Sequence, residues 1–360
     1  RQVVDELRDI IQRSDVYELV AELHSFSESL KKVYESNNPV VLSLRYIPWK
    51  FYVMTALTSA YQVNYPEKDK LFKEIRRFFY ISLTAGCTLN QIKQTSFKLI
   101  ESIVNGNSID EIKEDLNRTI ISRRMYAKVY DALDNDVYNE KFLKPLMLSL
   151  EYEIREKTDK SFYSLDNTLH MDHILPRAYK QNDEWNYIKD EEVLPEINGL
   201  GNMALLQDIK NEEALNCGFD RKIRIYKGQD EEGNNKSGIT SFEFTRKIIE
   251  YYDSGNTTWN IDQILERKKY LISKIEEMLE ISREDINLKL SEESTGGKTG
   301  KSKWLYKNVY YDNAKLVRAL IQDYIVDKGI KKERRYLLWL SDVLAPSRTK
   351  RPTQLPLTPL

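Results

Sequence analysis

The chain has 360 residues, 41% of them hydrophobic, with 55 Lys and Arg against 56 Asp and Glu. That length suits two or three domains, and the composition supplies a sizeable core, which excludes a chain disordered throughout. The near-zero total hides an asymmetry: from Lys298 onward there are 14 Lys and Arg against 5 Asp and Glu, a basic tail on an acidic body that points to a polyanionic partner.

With 13 Gly and 10 Pro in a chain that is 31% charged, helices are favoured over a turn-rich all-β fold. The opening Arg1-Gln2-Val3-Val4-Asp5-Glu6 is no signal peptide and reads as the middle of a helix, as expected of a piece of something longer. Residues 1–161 read as a helical array that serves as a scaffold or interaction bundle. Val4, Leu7, Ile10 and Ile11 share one helical face, as do Leu71, Phe72, Ile75, Phe78 and Phe79. Ser108 and Glu111 form a capping box that opens one long helix running through Ile120, Ile121, Met125 and Val129. Phe142, Leu143, Leu146, Met147 and Leu150 make a further apolar face, with Pro145 in the tolerated first turns. His24 lies in the first of these helices without chemical neighbours and is read as structural.

The helical pattern breaks between 162 and 228, where Gly, Pro, Asn and His gather around short apolar runs. It returns over Ser241–Tyr252 and again over Ile261–Ile281. Residues 286–303 read as a linker, Gly- and Ser-rich from Glu292 to Ser302. Within it, Gly296 and Gly300-Lys301-Ser302 miss the phosphate-loop spacing by one residue and follow no strand, so no nucleotide site is read there. Residues 304–360 form a small basic module with helical patterns at 314–326 and 334–343. Lys328, Lys331, Lys332, Arg334 and Arg335, beside Tyr336 and Trp339, suit a surface that tracks phosphates. Cys87 and Cys217 stand 130 positions apart, which rules out a disulfide framework or a Cys-x-x-Cys zinc staple and fits a reducing cytoplasm. No apolar run approaches the ~20 residues of a membrane helix.

Chemistry concentrates in one stretch. Leu169-His170-Met171-Asp172-His173-Ile174-Leu175-Pro176 reads as a strand that ends in Asp-His and is broken by Pro176. A loop leads to Gly199-Leu200-Gly201-Asn202, then to a short strand near Met203–Leu206, then to a helix near Ile209 that carries Asn211. Adjacent residues of an extended backbone point to opposite sides, so one of Asp172 and His173 can hold a metal while the other faces a water. Asn211 offers a neutral oxygen to a hard cation such as Mg²⁺, which keeps waters and phosphate oxygens in its remaining positions.

The order Asp-His, Asn, Asn resembles the HNH or His-Me finger nuclease motif, a ββα-metal unit. The strings D-H-I-L-P, G-L-G-N-M-A-L-L and N-E-E-A-L-N-C-G-F-D-R-K resemble more narrowly the C-terminal nuclease domain of GmrSD-type modification-dependent restriction endonucleases, a group that includes the SspE anti-phage nucleases. Trp259, Arg267 and Leu271 fit the helix that closes that domain, and the helical residues upstream resemble the family's spacer. Asp172 stands where the family often has Glu, and Arg177 where it often has Gln.

Carried over residue by residue, the resemblance implies His173 as general base and Asn202 as the residue that orients its loop. It implies Asp172 and Asn211 as holders of one Mg²⁺ (Mn²⁺ being possible), Asn216 as a supporting residue and Lys222 as a phosphate contact. Arg177 is grouped with these as a supporting or phosphate-binding residue; His170 is left open between a third ligand, a DNA contact and a packed ring.

The expected architecture is mainly α: a helical bundle over 1–161, then a ββα-metal (His-Me finger) nuclease domain over 162–285 with surrounding helices, a linker over 286–303 and a small basic C-terminal module over 304–360. The expected function is metal-dependent DNA endonuclease activity in restriction and anti-phage defence, leaving 5′-phosphate and 3′-hydroxyl ends. The expected partners are DNA and an N-terminal ParB-like nucleotidase domain or subunit whose motifs this sequence lacks. An RNase or unselective nuclease of the same fold is one alternative; a helical nucleic-acid-binding protein with a silent finger is another.

Overall fold

The stripe from Leu71 to Phe79 folds as a helix, as does the part from Leu143 to Leu150 of the later one, whereas the stripe from Val4 to Ile11 lies outside the described residues. The computed structural model describes residues 15–154, 163, 165–166, 168–288, 304–306 and 309–311. Packing divides the chain into two units, Arg1–Lys289 and Leu290–Leu360.

In the first unit, Asp15 caps helix α1 (Val16–Glu35) by accepting from the Tyr17 N–H at 2.7 Å. Then follow α2 (Pro39–Leu44), α3 (Lys50–Gln62), α4 (Lys68–Thr84), α5 (Leu89–Val104) and α6 (Ile109–Ser122). The capping box at the head of α6 is reciprocal: the Ser108 N–H donates to Glu111 Oε2 at 2.8 Å, and the Glu111 N–H donates to Ser108 Oγ at 3.3 Å.

The long helix expected through Val129 is two helices. The chain breaks at Arg124, whose φ of 54° is left-handed, and restarts as α7 (Met125–Asp134). Ile120, Met125 and Val129 all reach the core, so the apolar period survives the break and conceals it in the sequence. Helix α4 runs through the middle of this region and is buried on nearly every side, charges included. Those charges are partnered: Arg76 pairs with Glu153, Lys113 lies 3.0 Å from Glu74, and Arg77 donates to Asn117 Oδ1 at 2.7 Å and to the Tyr126 hydroxyl at 2.6 Å. Helix α8 (Leu143–Ile154) closes the helical region, with Pro145 in its first turn.

Strand β1 (Leu169–His173) pairs antiparallel with β2 (Met203–Gln207), with His173 opposite Met203 and Asp172 opposite Ala204. The segment between them is irregular apart from 3₁₀ turns and the short α9 (Asp190–Val193). Helix α10 (Asp208–Ala214) follows β2 directly, then α11 (Phe219–Lys227), α12 (Glu243–Asp253) and α13 (Ile261–Leu279). Strand β2 is buried on both faces, which explains the unbroken run Met203-Ala204-Leu205-Leu206. Leu169, Met203 and Leu205 join the core of the helical region, whereas Ala204 and Leu206 join a second core with Ile223, Tyr226 and Trp259.

Two polar clamps fasten these later helices to the helical region. Glu151 of α8 accepts the Glu243 and Phe244 N–H groups at 2.7 and 3.0 Å and so caps α12. Burial pushes its carboxyl up to about 7 despite those bonds. Lys268 of α13 donates to the Asp134 carbonyl at 2.6 Å and to both Glu196 oxygens.

In the second unit, β3 (Trp304–Tyr306) and β4 (Val309–Tyr311) pair antiparallel, with Trp304 opposite Tyr311. The expected boundary at 161/162, most of the 286–303 linker and the helical and basic segments beyond 311 lie outside the described residues. Among those described, no helix is long and apolar enough to cross a membrane.

Candidate active site

The sequence places its chemistry at the end of β1, and the alternation of an extended strand separates it into two pockets. His173, the last residue of β1, is 8% exposed. Its ring packs on Tyr138 with centroids 4.4 Å apart, and its Nε2 lies 3.0 Å from Asn198 Oδ1. Burial, the largest influence, pulls the imidazole below its ordinary value; the Asn198 bond and the Asp172 charge oppose that without cancelling it. The ring is therefore neutral at pH 7, as a proton acceptor must be.

The loop behind His173 is locked by Asn202, which has no exposed surface. Its Nδ2 donates to the Leu175 and Ile197 carbonyls at 2.9 and 2.8 Å. Its Oδ1 accepts from the Leu175 N–H at 2.8 Å and from Trp259 Nε1 at 3.3 Å. All four bonds an amide side chain can make are formed, so the Pro176 turn has one geometry. Arg267 of α13 secures the same loop through the Gly201 and Met203 carbonyls at 3.0 and 2.6 Å. Gly201 is needed there because a Cβ would stand 1.9 Å from the Ile264 carbonyl oxygen.

Asp172 faces the other way, into the core beneath α11. Lys222 Nζ donates to its Oδ1 and Oδ2 at 2.9 and 2.8 Å, and the Tyr226 hydroxyl donates to Oδ2 at 2.6 Å. Burial first, then the neighbouring carboxylate, pushes the Tyr226 phenol well above its ordinary value, so it remains a donor. The third Lys222 bond goes to the His173 carbonyl at 2.7 Å. Lys222 is fully buried with its donors committed, so the expected phosphate contact is corrected: this lysine is an internal tie between Asp172 and the His173 backbone.

The remaining expected residues lie around these two pockets. Asn211 is in the middle of α10, half-buried, and its side chain makes no hydrogen bond among the described residues. His170, on the Asp172 face of β1, bonds through Nε2 to Asp208 Oδ1 at 2.9 Å and is half-buried. Arg177 is exposed and lies over the Tyr138 ring, 5.7 Å from its centroid, close to His173. Asn216 is exposed and contributes its carbonyl, which accepts from Asn182 Nδ2 at 3.0 Å.

Donor chemistry and pairing together test the metal reading. Asp172 and Asn211 are hard oxygen ligands, one charged and one neutral, as Mg²⁺ prefers. A carboxylate has about four lone-pair sites. Lys222 takes one on each oxygen and Tyr226 the second on Oδ2, which leaves Oδ1 one site for a cation. An ion on Asp172 would therefore be held through Oδ1 alone, beside the Lys222 ammonium, and could not grip both oxygens. Among the described residues no group of three or more His, Cys, Asp or Glu forms a metal cage.

Asn198, Asp136, Tyr138 and Tyr226 complete the two pockets and were not found by motif. Asn198 stands four residues before Asn202 in Ile197-Asn198-Gly199-Leu200-Gly201-Asn202. Lys222 and Tyr226 lie on the apolar stripe Phe219, Lys222, Ile223, Tyr226 of α11, and a lysine on such a stripe signals a buried partner.

Residues 121–274 match the family model described as GmrSD restriction endonucleases, C-terminal domain. The matched span is under half of the chain; it begins within α6, ahead of the hairpin, and ends within α13, so it includes Asp136 and Tyr138. The match supports a GmrSD-type restriction endonuclease C-terminal region over these residues. No curated protein and no solved structure matches the chain.

Proposed function

We propose that residues 121–274 hydrolyse phosphodiester bonds in DNA as the nuclease region of a restriction endonuclease acting in defence, with His173 as the general base. One observation carries this reading: an uncharged, desolvated imidazole held on a locked loop, within a span that matches that endonuclease family. A phosphodiester repels hydroxide, so its hydrolysis needs a base that takes the proton of a neutral water as the oxygen attacks phosphorus. A positioned imidazole contributes about 10²–10⁴ in rate to that step. Asn202 and Arg267 hold the loop, and with it the ring, in one place, and Lys222 fixes the His173 carbonyl from behind. Arg177, exposed beside Tyr138, is the side chain we assign to the substrate phosphate.

Mg²⁺ or Mn²⁺ belongs to this reading: Asp172 and Asn211 would hold the ion, and it would offset negative charge on the phosphate oxygens. The bond expected to break is phosphorus to the 3′-oxygen, leaving 5′-phosphate and 3′-hydroxyl ends.

The test is supercoiled plasmid incubated with Mg²⁺ or Mn²⁺, with and without EDTA, beside labelled RNA of equal length. Nicked or linear plasmid that disappears with EDTA is expected. Intact plasmid with degraded RNA would make the protein an RNase, and two intact substrates would make it a binding protein.

A further inference from the structure

A neutral histidine is a base at one nitrogen only, so the use of His173 depends on which nitrogen carries the proton. Asn198 Nδ2 lies 2.9 Å from Asp136 Oδ2, and a carboxylate only accepts. That contact turns the Asn198 amide so that Oδ1, also only an acceptor, faces the imidazole. His173 Nε2 must then be the donor, and Nδ1 carries the lone pair.

Asp136 is itself held in place, because its other oxygen accepts the Tyr138 N–H at 2.9 Å. The Val137 N–H donates to the Asn198 carbonyl at 3.1 Å, and the Tyr138 ring lies on the imidazole. Three consecutive residues between α7 and α8 thus reach across to the loop and ring of the candidate base.

We infer that Asp136 and Asn198 are positioning residues of this centre, holding the His173 proton on Nε2 and leaving Nδ1 as the free base. The inference rests on the nuclease reading for its consequence in rate, but the position of the proton can be measured without substrate. Neither side chain touches the reacting atoms; the helical region acts on the chemistry through this relay.

Asp136 is exposed, so it can be replaced without unsettling the core. Asp136→Asn has one acceptor oxygen for two donors, the Tyr138 N–H and Asn198 Nδ2, so its cleavage rate should fall between those of the wild type and the alanine variant. Asp136→Ala frees the amide to turn and should lower kcat on the order of 10–100-fold with KM little changed, by analogy with partners that orient metal-ligating histidines. Asp136→Lys presents a donor to Asn198 Oδ1, which turns the amide NH₂ toward the ring and drives the proton onto Nδ1; cleavage should fall further than in the alanine variant.

The ring nitrogens are read by ¹⁵N correlation spectroscopy in histidine-labelled protein, which has 3 His to assign, and His173→Gln identifies the relevant signal. Wild-type His173 protonated on Nε2, inverted in Asp136→Lys with loss of cleavage, supports the inference. A wild-type ring protonated on Nδ1, or an inverted ring that still cuts at the wild-type rate, overturns it. If the wild-type protein cuts nothing, the nuclease reading fails on its own account, and the assigned role in rate fails with it, whichever nitrogen holds the proton.

Discussion

Asp172 and His173 are neighbours in sequence, yet β1 delivers them to opposite kinds of surroundings. Asp172 is buried beneath α11 and meets a fully buried ammonium and a buried phenol. His173 enters a pocket with an exposed rim, where its partner is a neutral amide held by a carboxylate at the surface. On one face the fold depends on the charges being matched; on the other a neutral ring is tuned by groups that can be exchanged without unfolding. Loss of activity in a variant therefore means different things on the two faces, and the following measurements separate them.

The largest effect is expected at His173. His173→Ala should lower cleavage by at least about 10²-fold, the lower end of what a positioned acid–base group contributes. Its stability should change by no more than a modest truncation, so the unfolding midpoint and DNA affinity remain near wild type. Equal cleavage by the two proteins at saturating Mg²⁺ would remove His173 from the chemistry and dissolve the contrast.

On the opposite face the primary effect should be on folding. Asp172→Ala leaves the Lys222 ammonium buried without its counter-charge, and Lys222→Ala does the reverse; each should cost about 3–5 kcal/mol in urea unfolding. The pair Asp172→Leu with Lys222→Met removes both charges and should recover most of that loss. If the single variants unfold like the wild type, the pair is not the tie described here. The consequence for metal binding is practical: Asp172→Ala cannot identify a ligand, whereas Asn211→Ala, which breaks no side-chain hydrogen bond among the described residues, can do so by a shifted Mg²⁺ titration.

Much of this was legible in the sequence, and the rest was not for identifiable reasons. Local patterns read true: the Ser108 capping box, the Pro145 helix and the unbroken apolar run of β2 each depend on residues close together in the chain. The Asp-His pair at a strand end also implied its two-sidedness, because alternation is a property of extended backbone. What escaped were long-range pairings. Asp136 and Asn198 are 62 positions apart, and nothing in Asn135-Asp136-Val137-Tyr138 announces a contact with a histidine loop. Lys222 was expected to contact a phosphate, although its place on the stripe of α11 argued for burial. The break at Arg124 was hidden because a left-handed residue can redirect a helix while the apolar period continues into the next one.

A third measurement sharpens the contrast through pH. The folded imidazole has a lowered pKa, so the acid limb of kcat/KM should have its midpoint below the ordinary value of 6.5 and the profile should be flat near pH 7. For stability the sign is fixed by the same shift. Above about pH 6.5 the ring is neutral folded and unfolded; as pH falls below that, the unfolded chain takes the proton first and stability declines until the folded ring is protonated too. Glu151 acts in the opposite sense: its carboxyl, raised to about 7, makes stability fall as pH climbs from its ordinary 4.5 toward 7. Comparing His173→Gln with Glu151→Gln across pH 5–8 should remove one slope each. An acid limb centred above 6.5 would contradict the burial of His173.

The smallest effect is expected from the second unit, whose charge differs from that of the first. Residues from Lys298 onward have 14 basic against 5 acidic groups, while the preceding body is acidic. If Lys328, Lys331, Lys332, Arg334 and Arg335 meet phosphates, each adds about 0.9 to the steepness with which log affinity falls against log salt. Deleting residues 290–360 should then flatten that slope by up to about 4.5 and weaken binding at low salt, while cleavage at saturating DNA stays near the wild-type rate. The side chains assigned to the chemistry, His173, Asn202 and Arg177, belong to the first unit, so the two quantities should separate. A slope unaltered by the deletion would assign the DNA surface to the first unit alone, where exposed Arg177 beside Tyr138 would be the first residue to test.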